Sequence, residues 1–152
     1  TSVSSEEKER YVLDTGADEV FNYRDSKFVE NILSSTNGVG VDRIIEVDVA
    51  SNIKTYDQIL KPKGSAIIYG TSLPVAEAPS YSFIVREAKL QWILVYELND
   101  EQREQGASLL NDMIVSGKLK TTISQKFSLE EVAEAHKTVE DAQHIGNVIL
   151  EI

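Results

Sequence analysis

Ser4 and Lys8 stand four residues apart at the start of a helix-forming run. One helical turn would bring a hydroxyl, an ammonium group and the free N–H groups of a helix N-terminus onto one patch, which suits an anionic group. The alternative is that Ser4 only caps the helix and Lys8 is a solvated lysine. Tyr69-Gly70-Thr71-Ser72 is a second candidate. Its glycine lets the backbone approach a ligand closely, and its hydroxyls can bond to one; a plain strand-to-loop turn is the alternative. Asp42 and Glu46 share a strand pattern, but carboxylates so spaced are a weak sign of acid–base chemistry. Asp48 is set aside, because a carboxylate facing an anionic ligand is unfavourable. His136 reads as a structural residue on a helix and His144 as loop surface. Two histidines alone cannot build a His-rich zinc site. With no cysteine there is no disulfide, thiolate metal site or cysteine nucleophile. No Ser-His-Asp order, Walker loop or base-stacking aromatic cluster is present, and no metal ligand set is assigned.

Those residues need elements to hold them. The chain has 152 residues, 41% hydrophobic and 26% charged, a normal balance for one globular domain. A formal net charge of −10 opposes broad binding to nucleic acid or anionic lipid. No apolar run is long enough for a membrane-spanning helix, and the start lacks an apolar signal segment. The expectation is a soluble, reduced, cytoplasmic protein. The chain opens at Thr1 without Met and enters a helix at once, so a fragment is expected.

Ser4-Ser5-Glu6-Glu7 reads as a capping box with Ser4 as the cap, opening a helix that runs to about Thr15 and stops at Gly16. A short strand follows at Glu19 to Tyr23, then a helix carrying Phe28, Val29, Ile32 and Leu33. Val41 to Val49 is β-branched and apolar enough to predict a strand covered on both faces. A helix from about Ala50 to Leu60 should stop at Lys61-Pro62-Lys63-Gly64, before a strand from Ser65 to Tyr69. Leu73 to Ser80 reads as a loop and Ala88 to Leu98 as one strand. Asn99, with Gln102 three residues on, opens the longest helix, which ends at Ser116-Gly117. A weak strand at Thr121 to Phe127, a capping box at Ser128 to Glu131 with its helix, and a strand from Asn147 to Ile152 complete the chain. Helices alternating with short buried strands predict an α/β fold with a parallel sheet and right-handed crossovers. Ligands in such sheets bind at the carboxyl ends of strands.

The ordered motifs resemble the medium-chain dehydrogenase/reductase family. They are Gly16-Ala17-Asp18-Glu19-Val20, then Asn22-Tyr23-Arg24, then Gly40-Val41-Asp42 with Ile-Ile-Glu. They continue with Leu60-Lys61-Pro62-Lys63-Gly64 before Tyr69-Gly70, then Phe127 to His136, and end on Gly146-Asn147-Val148-Ile149-Leu150. The branch resembled is that of the zeta-crystallin-like NADPH:quinone oxidoreductases. The resemblance implies a Rossmann-type parallel sheet lacking its first βα unit and the Gly-rich phosphate turn. Residues 1–120 would be a partial NADP-binding domain, and residues 121–152 would return to an absent GroES-like catalytic domain. Exposed strand edges would then make the chain poorly stable alone.

By the same resemblance the cofactor is NADPH. Ser4 and Lys8 occupy the strand end where a NAD-preferring site keeps an acidic residue, and Lys8 would pair with the 2′-phosphate. Tyr23 packs near that phosphate, against the alternative of an ordinary half-buried strand tyrosine. Asn52 contacts cofactor, unless it is a simple helix-start residue. Tyr69, Gly70, Thr71 and Ser72 lie along the nicotinamide half, and the backbone of Ile93, Leu94 and Val95 meets the carboxamide. The strand Lys89 to Tyr96 pairs with a second copy in a homo-oligomer, as its alternating Leu90, Trp92, Leu94 and Tyr96 would leave an apolar edge. The implied activity is zinc-independent hydride transfer from NADPH to a quinone or enone, with catalytic residues unassigned. Alternatives are a zinc-type alcohol dehydrogenase, an adenosyl-dependent methyltransferase built on the Asp42 to Asp48 strand, or a non-catalytic crystallin-like or RNA-binding protein.

Overall fold

In the computed structural model, which describes residues 1–152, strands and helices alternate from end to end. The order is β1 (Ser2–Val3), α1 (Glu6–Asp14), β2 (Phe21–Asn22), α2 (Phe28–Ser35), β3 (Val41–Glu46), α3 (Val49–Ile59) and β4 (Leu60–Ile68). It continues with α4 (Ser80–Val85), β5 (Lys89–Trp92), α5 (Asp100–Val115), β6 (Ile123–Ser128), α6 (Val132–Glu140) and β7 (Asn147–Glu151). Every strand pairing is parallel, as the alternation predicts. The strands form three separate sheets: β1-β2, β3-β4-β5 and β6-β7.

Local chemistry sets most helix ends. The cap of α1 is Ser5 rather than Ser4: its hydroxyl accepts from the Lys8 N–H at 3.3 Å. The chain leaves α1 through Gly16 at φ +108°, a conformation that side chains resist. The box opening α5 is reciprocal. Gln102 N–H donates to Asn99 Oδ1 at 2.9 Å, and Asn99 N–H donates to Gln102 Oε1 at 3.0 Å. Ser128 and Glu131 form the other box, which begins as a tight turn over Leu129–Glu131 before α6. There the Ser128 N–H, and then its hydroxyl, hold the Glu131 carboxyl below the usual carboxylate range.

The core lies on one face of the three-stranded sheet. Val49, Ile53 and Tyr56 recur at helical spacing along α3 and meet Ala66 and Ile68 of β4 and Phe83 of α4. Each of the larger side chains contributes about 1.5–3 kcal/mol by leaving water. The other face is open, which corrects the expectation that β3 is covered on both sides. Ile45 is 66% exposed. The reason is that this whole face lacks a packed helix: Arg43, Ile67 and Gln91 line an open surface there, and α5 buries none of its own residues.

Three further expectations change. β4 begins at Leu60, directly after α3, and not at Ser65. Val41 pairs with Leu60 but Arg43 with Ser65, so Lys61-Pro62-Lys63-Gly64 bulges within the pairing, with Lys63 at φ +63°. That break in register is what allows a proline there. Next, α4 takes Ser80 from the end of the expected loop and forms over residues to which the sequence pattern assigned no element. Finally, β5 stops at Trp92 instead of running to Leu98, because its partner β4 ends at Ile68, opposite Trp92. Val95–Glu97 turns as a single 3-10 helix. No helix is long and apolar enough to cross a membrane.

Candidate functional site

The carboxyl end of β3 carries the densest polar network in the chain. Glu46, the last residue of β3, is only 6% exposed. Its Oε2 accepts from the Tyr56 hydroxyl at 2.8 Å. Its Oε1 accepts from Asn52 Nδ2 at 3.1 Å and from the Asp48 N–H at 2.5 Å. Burial, and then the hydrogen bond to Glu46, pushes the Tyr56 hydroxyl far above the ordinary tyrosine value, so it remains a donor. Asp48 continues the network outward. Its Oδ2 accepts from the Ser51 hydroxyl at 2.6 Å and its Oδ1 from the Ser72 N–H at 2.7 Å.

Two cavities adjoin these strand ends. One, of about 340 Å³, lies beside β1 and α1 and is lined by Ser2, Ser4, Lys8, Tyr23 and His144, among others. Lys8 is its only lysine or arginine, and no carboxylate lines it. Lys8 Nζ also donates to the Ala142 carbonyl at 3.4 Å. The second cavity, of about 570 Å³, is lined by Tyr23, Glu46, Asp48, Asn52 and Tyr56 among others. Tyr23 and Ser2 line both, so the two spaces share a wall.

The structure therefore brings Ser4, Lys8 and Tyr23 together and sets Tyr23 beside Asn52. Tyr69, Gly70, Thr71 and Ser72 line neither cavity but are tied to the same strand end. The Tyr69 N–H donates to the Glu46 carbonyl at 3.0 Å, and the Gly70 carbonyl accepts from the Val49 N–H at 3.3 Å. The Thr71 hydroxyl donates to the Leu73 carbonyl at 2.7 Å, inside its own loop. Ile93, Leu94 and Val95 lie past the end of β5, which corrects their expected place within a strand; Ile93 N–H still donates to the Ile68 carbonyl at 2.9 Å. Gly70 has a structural demand of its own. A Cβ there would stand 2.2 Å from the Val47 carbonyl oxygen, so the ends of β3 and β4 can meet only at a glycine.

Glu46, Tyr56 and Asp48 carry the network, yet sequence reasoning left them out. The signal was a carboxylate inside Ile-Ile-Glu-Val, at a strand position that must be buried. His144 is not free loop surface: it lines the first cavity, and its Nδ1 lies 3.1 Å from the Thr138 carbonyl.

A family model described as zinc-binding dehydrogenase matches residues 15–150. The chain belongs to that family. The likeness to medium-chain dehydrogenases and reductases and the Rossmann-type parallel α/β fold both hold. A quinone oxidoreductase of Lama guanicoe is 31% identical over 153 residues, covering 98% of this chain and 45% of that protein. A 2-haloacrylate reductase of Burkholderia sp is 28% identical over 158 residues, covering 98% of this chain and 46% of that one. A mycobacterial protein solved in complex with NADPH superposes with a TM-score of 0.86 at 23% identity, over 100% of this chain and 49% of its own. The chain thus spans about half the length of the relatives it matches. The residues present do not fit the zinc of the family's name: there is no cysteine, and no three His, Asp or Glu side chains come together to hold a metal ion.

Proposed function

We propose that this chain is the cofactor-binding part of an NADPH-dependent oxidoreductase that passes a hydride to a quinone, an enone or a similar electron-poor acceptor. The carrying observation is the cavity of Ser4, Lys8 and Tyr23, which offers hydroxyls and one ammonium group and no carboxylate. A NAD-selective site holds the ribose diol with an acidic residue, whereas a 2′-phosphate needs room and positive charge. The acidic residues in the first turn of α1, Glu6, Glu7 and Glu9, do not line the cavity. The kinship with a quinone oxidoreductase and a 2-haloacrylate reductase supports the acceptor class.

In this reading the bound nicotinamide supplies the hydride, and the protein supplies position and electrostatics. Lys8 and Ser4 hold the 2′-phosphate, with Tyr23 against it. Asn52, its Nδ2 fixed on Glu46, offers its other polar groups to the cofactor. Tyr69, Gly70, Thr71 and Ser72 lie along the nicotinamide half, and the backbone of Ile93, Leu94 and Val95 meets its carboxamide. Residues 1–120 form the cofactor-binding part and residues 121–152 belong with the catalytic domain. The reading assigns this chain no zinc ligand, since its donor set fits none.

The test is NADPH-driven quinone reduction by the intact protein, compared with NADH. Lys8→Ala is expected to raise KM for NADPH about tenfold, roughly 1.4 kcal/mol, and to leave KM for NADH unchanged. Equal use of the two cofactors, with no effect of Lys8→Ala, would sink the reading.

The same reading makes β5, an edge of its sheet, the seam of a homo-oligomer. Trp92, at the end of β5, is 62% exposed, and Leu94 and Tyr96 beyond it are 59% and 83% exposed, an apolar run that wants cover, although Tyr96 lies in the turn and not on the strand. Sedimentation is expected to show a dimer or larger, and the pair Trp92→Lys with Leu94→Lys a monomer. A monomeric native protein would refute the seam.

A further inference from the structure

We propose that Asp48 is a positioning residue whose carboxylate clips the loop after β4 to the first turn of α3, fixing the strand-end cleft in which the cofactor would lie. This role rests on the cofactor reading above, while the clip itself does not.

The backbone ties between β3 and β4 run out at this point. Tyr69 N–H reaches the Glu46 carbonyl, and Val49 N–H reaches the Gly70 carbonyl. Beyond Gly70 the chain enters an exposed loop, in which the Thr71 hydroxyl bonds only to the backbone of Leu73, two residues on: it donates to the carbonyl at 2.7 Å and accepts from the N–H at 3.4 Å. The next tie back to α3 comes from a side chain. Asp48 Oδ1 accepts from the N–H of Ser72, 24 residues away along the chain. Its Oδ2 accepts from the hydroxyl of Ser51, in the first turn of α3. Asp48 is itself held from below, because its own N–H is bonded to the buried Glu46 carboxylate at 2.5 Å.

This arrangement also settles the objection to a carboxylate at a cofactor cleft. Each oxygen of Asp48 already has a neutral donor from the protein. The Ser51 hydroxyl, and then Ser72, hold the carboxyl below the usual range, so it is a charged acceptor at neutral pH. Its charge is spent inward, on holding Ser72 in place. Ser72 and Thr71 are the loop residues whose hydroxyls the cofactor reading needs at a fixed position.

Two variants of the intact protein, Asp48→Ala and Asp48→Asn, test this. Asparagine keeps an oxygen for the Ser72 N–H and can donate to the Ser51 hydroxyl. Without any cofactor, amide hydrogen exchange at Thr71, Ser72 and Leu73 is expected to rise, roughly tenfold at Ser72, in Asp48→Ala and to stay near native in Asp48→Asn. Ser51→Ala, which removes one donor and leaves Ser72 alone, should give a smaller rise and covers the case in which Asp48→Ala fails to fold. NADPH binding is expected to weaken several-fold in Asp48→Ala, with kcat moving less than KM, and to recover in Asp48→Asn. Unchanged exchange in Asp48→Ala overturns the clip. Faster exchange with unchanged NADPH affinity overturns the positioning role. A native protein that binds neither NADPH nor NADH, yet shows the exchange effect, overturns the cofactor reading and leaves the clip standing.

Discussion

Glu46→Ala is expected to destabilise the protein by about 3 kcal/mol, well above the ~1 kcal/mol typical of a point substitution. The size follows from what the carboxylate leaves behind. Tyr56 is buried, and its hydroxyl has only the Glu46 oxygen at 2.8 Å. The Asp48 N–H loses its acceptor at the same time, and Asn52 loses the bond that orients its amide. A buried donor without a partner costs about 1–3 kcal/mol, more than a made bond contributes. Glu46→Gln keeps an acceptor and the shape, so a loss of about 1 kcal/mol is expected. Urea unfolding of the three proteins gives the comparison, and a Glu46→Ala loss below about 1 kcal/mol would reject the network as a stabilising element. The partner residue adds a pH signature. The folded state keeps the Tyr56 proton because burial and Glu46 raise its pKa. The unfolded chain releases it above about pH 10. Stability is therefore fully present below that pH and is lost as pH rises beyond it. Tyr56→Phe should remove this alkaline slope.

Gly70→Ala is expected to cost about 3 kcal/mol, and the mechanism is different. The new Cβ would meet the Val47 carbonyl oxygen at 2.2 Å. No rotamer relieves a clash between a Cβ and a backbone oxygen, so the ends of β3 and β4 must separate. That separation loosens the Val49–Gly70 and Tyr69–Glu46 hydrogen bonds together. Gly106→Ala is the contrast. Gly106 lies within α5, and a Cβ there meets nothing within 4 Å. Alanine should stabilise that helix by about 0.5–1 kcal/mol. Thermal or urea unfolding of both variants separates a glycine the fold demands from one it merely carries; native-like stability of Gly70→Ala would reject the first.

What the sequence made legible was local. The boxes at Asn99 and Ser128, and the glycine stop after α1, depend on residues within one turn of each other. The parallel α/β order followed from alternation of periods, which is likewise local. Expectations failed where a distant partner decides. Ile93 to Leu98 is apolar enough for a strand, but β4 has already ended at Ile68. Ile45 reads as buried, and only the absence of a helix packed on its face of the sheet leaves it exposed. The site divides in the same way. Ser4, Lys8 and Tyr23 meet because parallel strands put their carboxyl ends on one side, a rule the pattern carries. Glu46 needed knowledge of a tyrosine ten residues on, across a helix, and Asp48 of a serine 24 residues on.

The separation of the strands into three sheets bears on what any single spectroscopic probe can see. The chain's one tryptophan, Trp92, ends β5, so its emission follows the opening of the β3-β4-β5 sheet. The β6-α6-β7 unit has no tryptophan, and α5, which joins it to β5, buries no side chain that would couple the two. Fluorescence thus reports the neighbourhood of one sheet, whereas far-ultraviolet dichroism sums over every helix and strand, and coincidence of the two midpoints is the check that the chain unfolds as one unit.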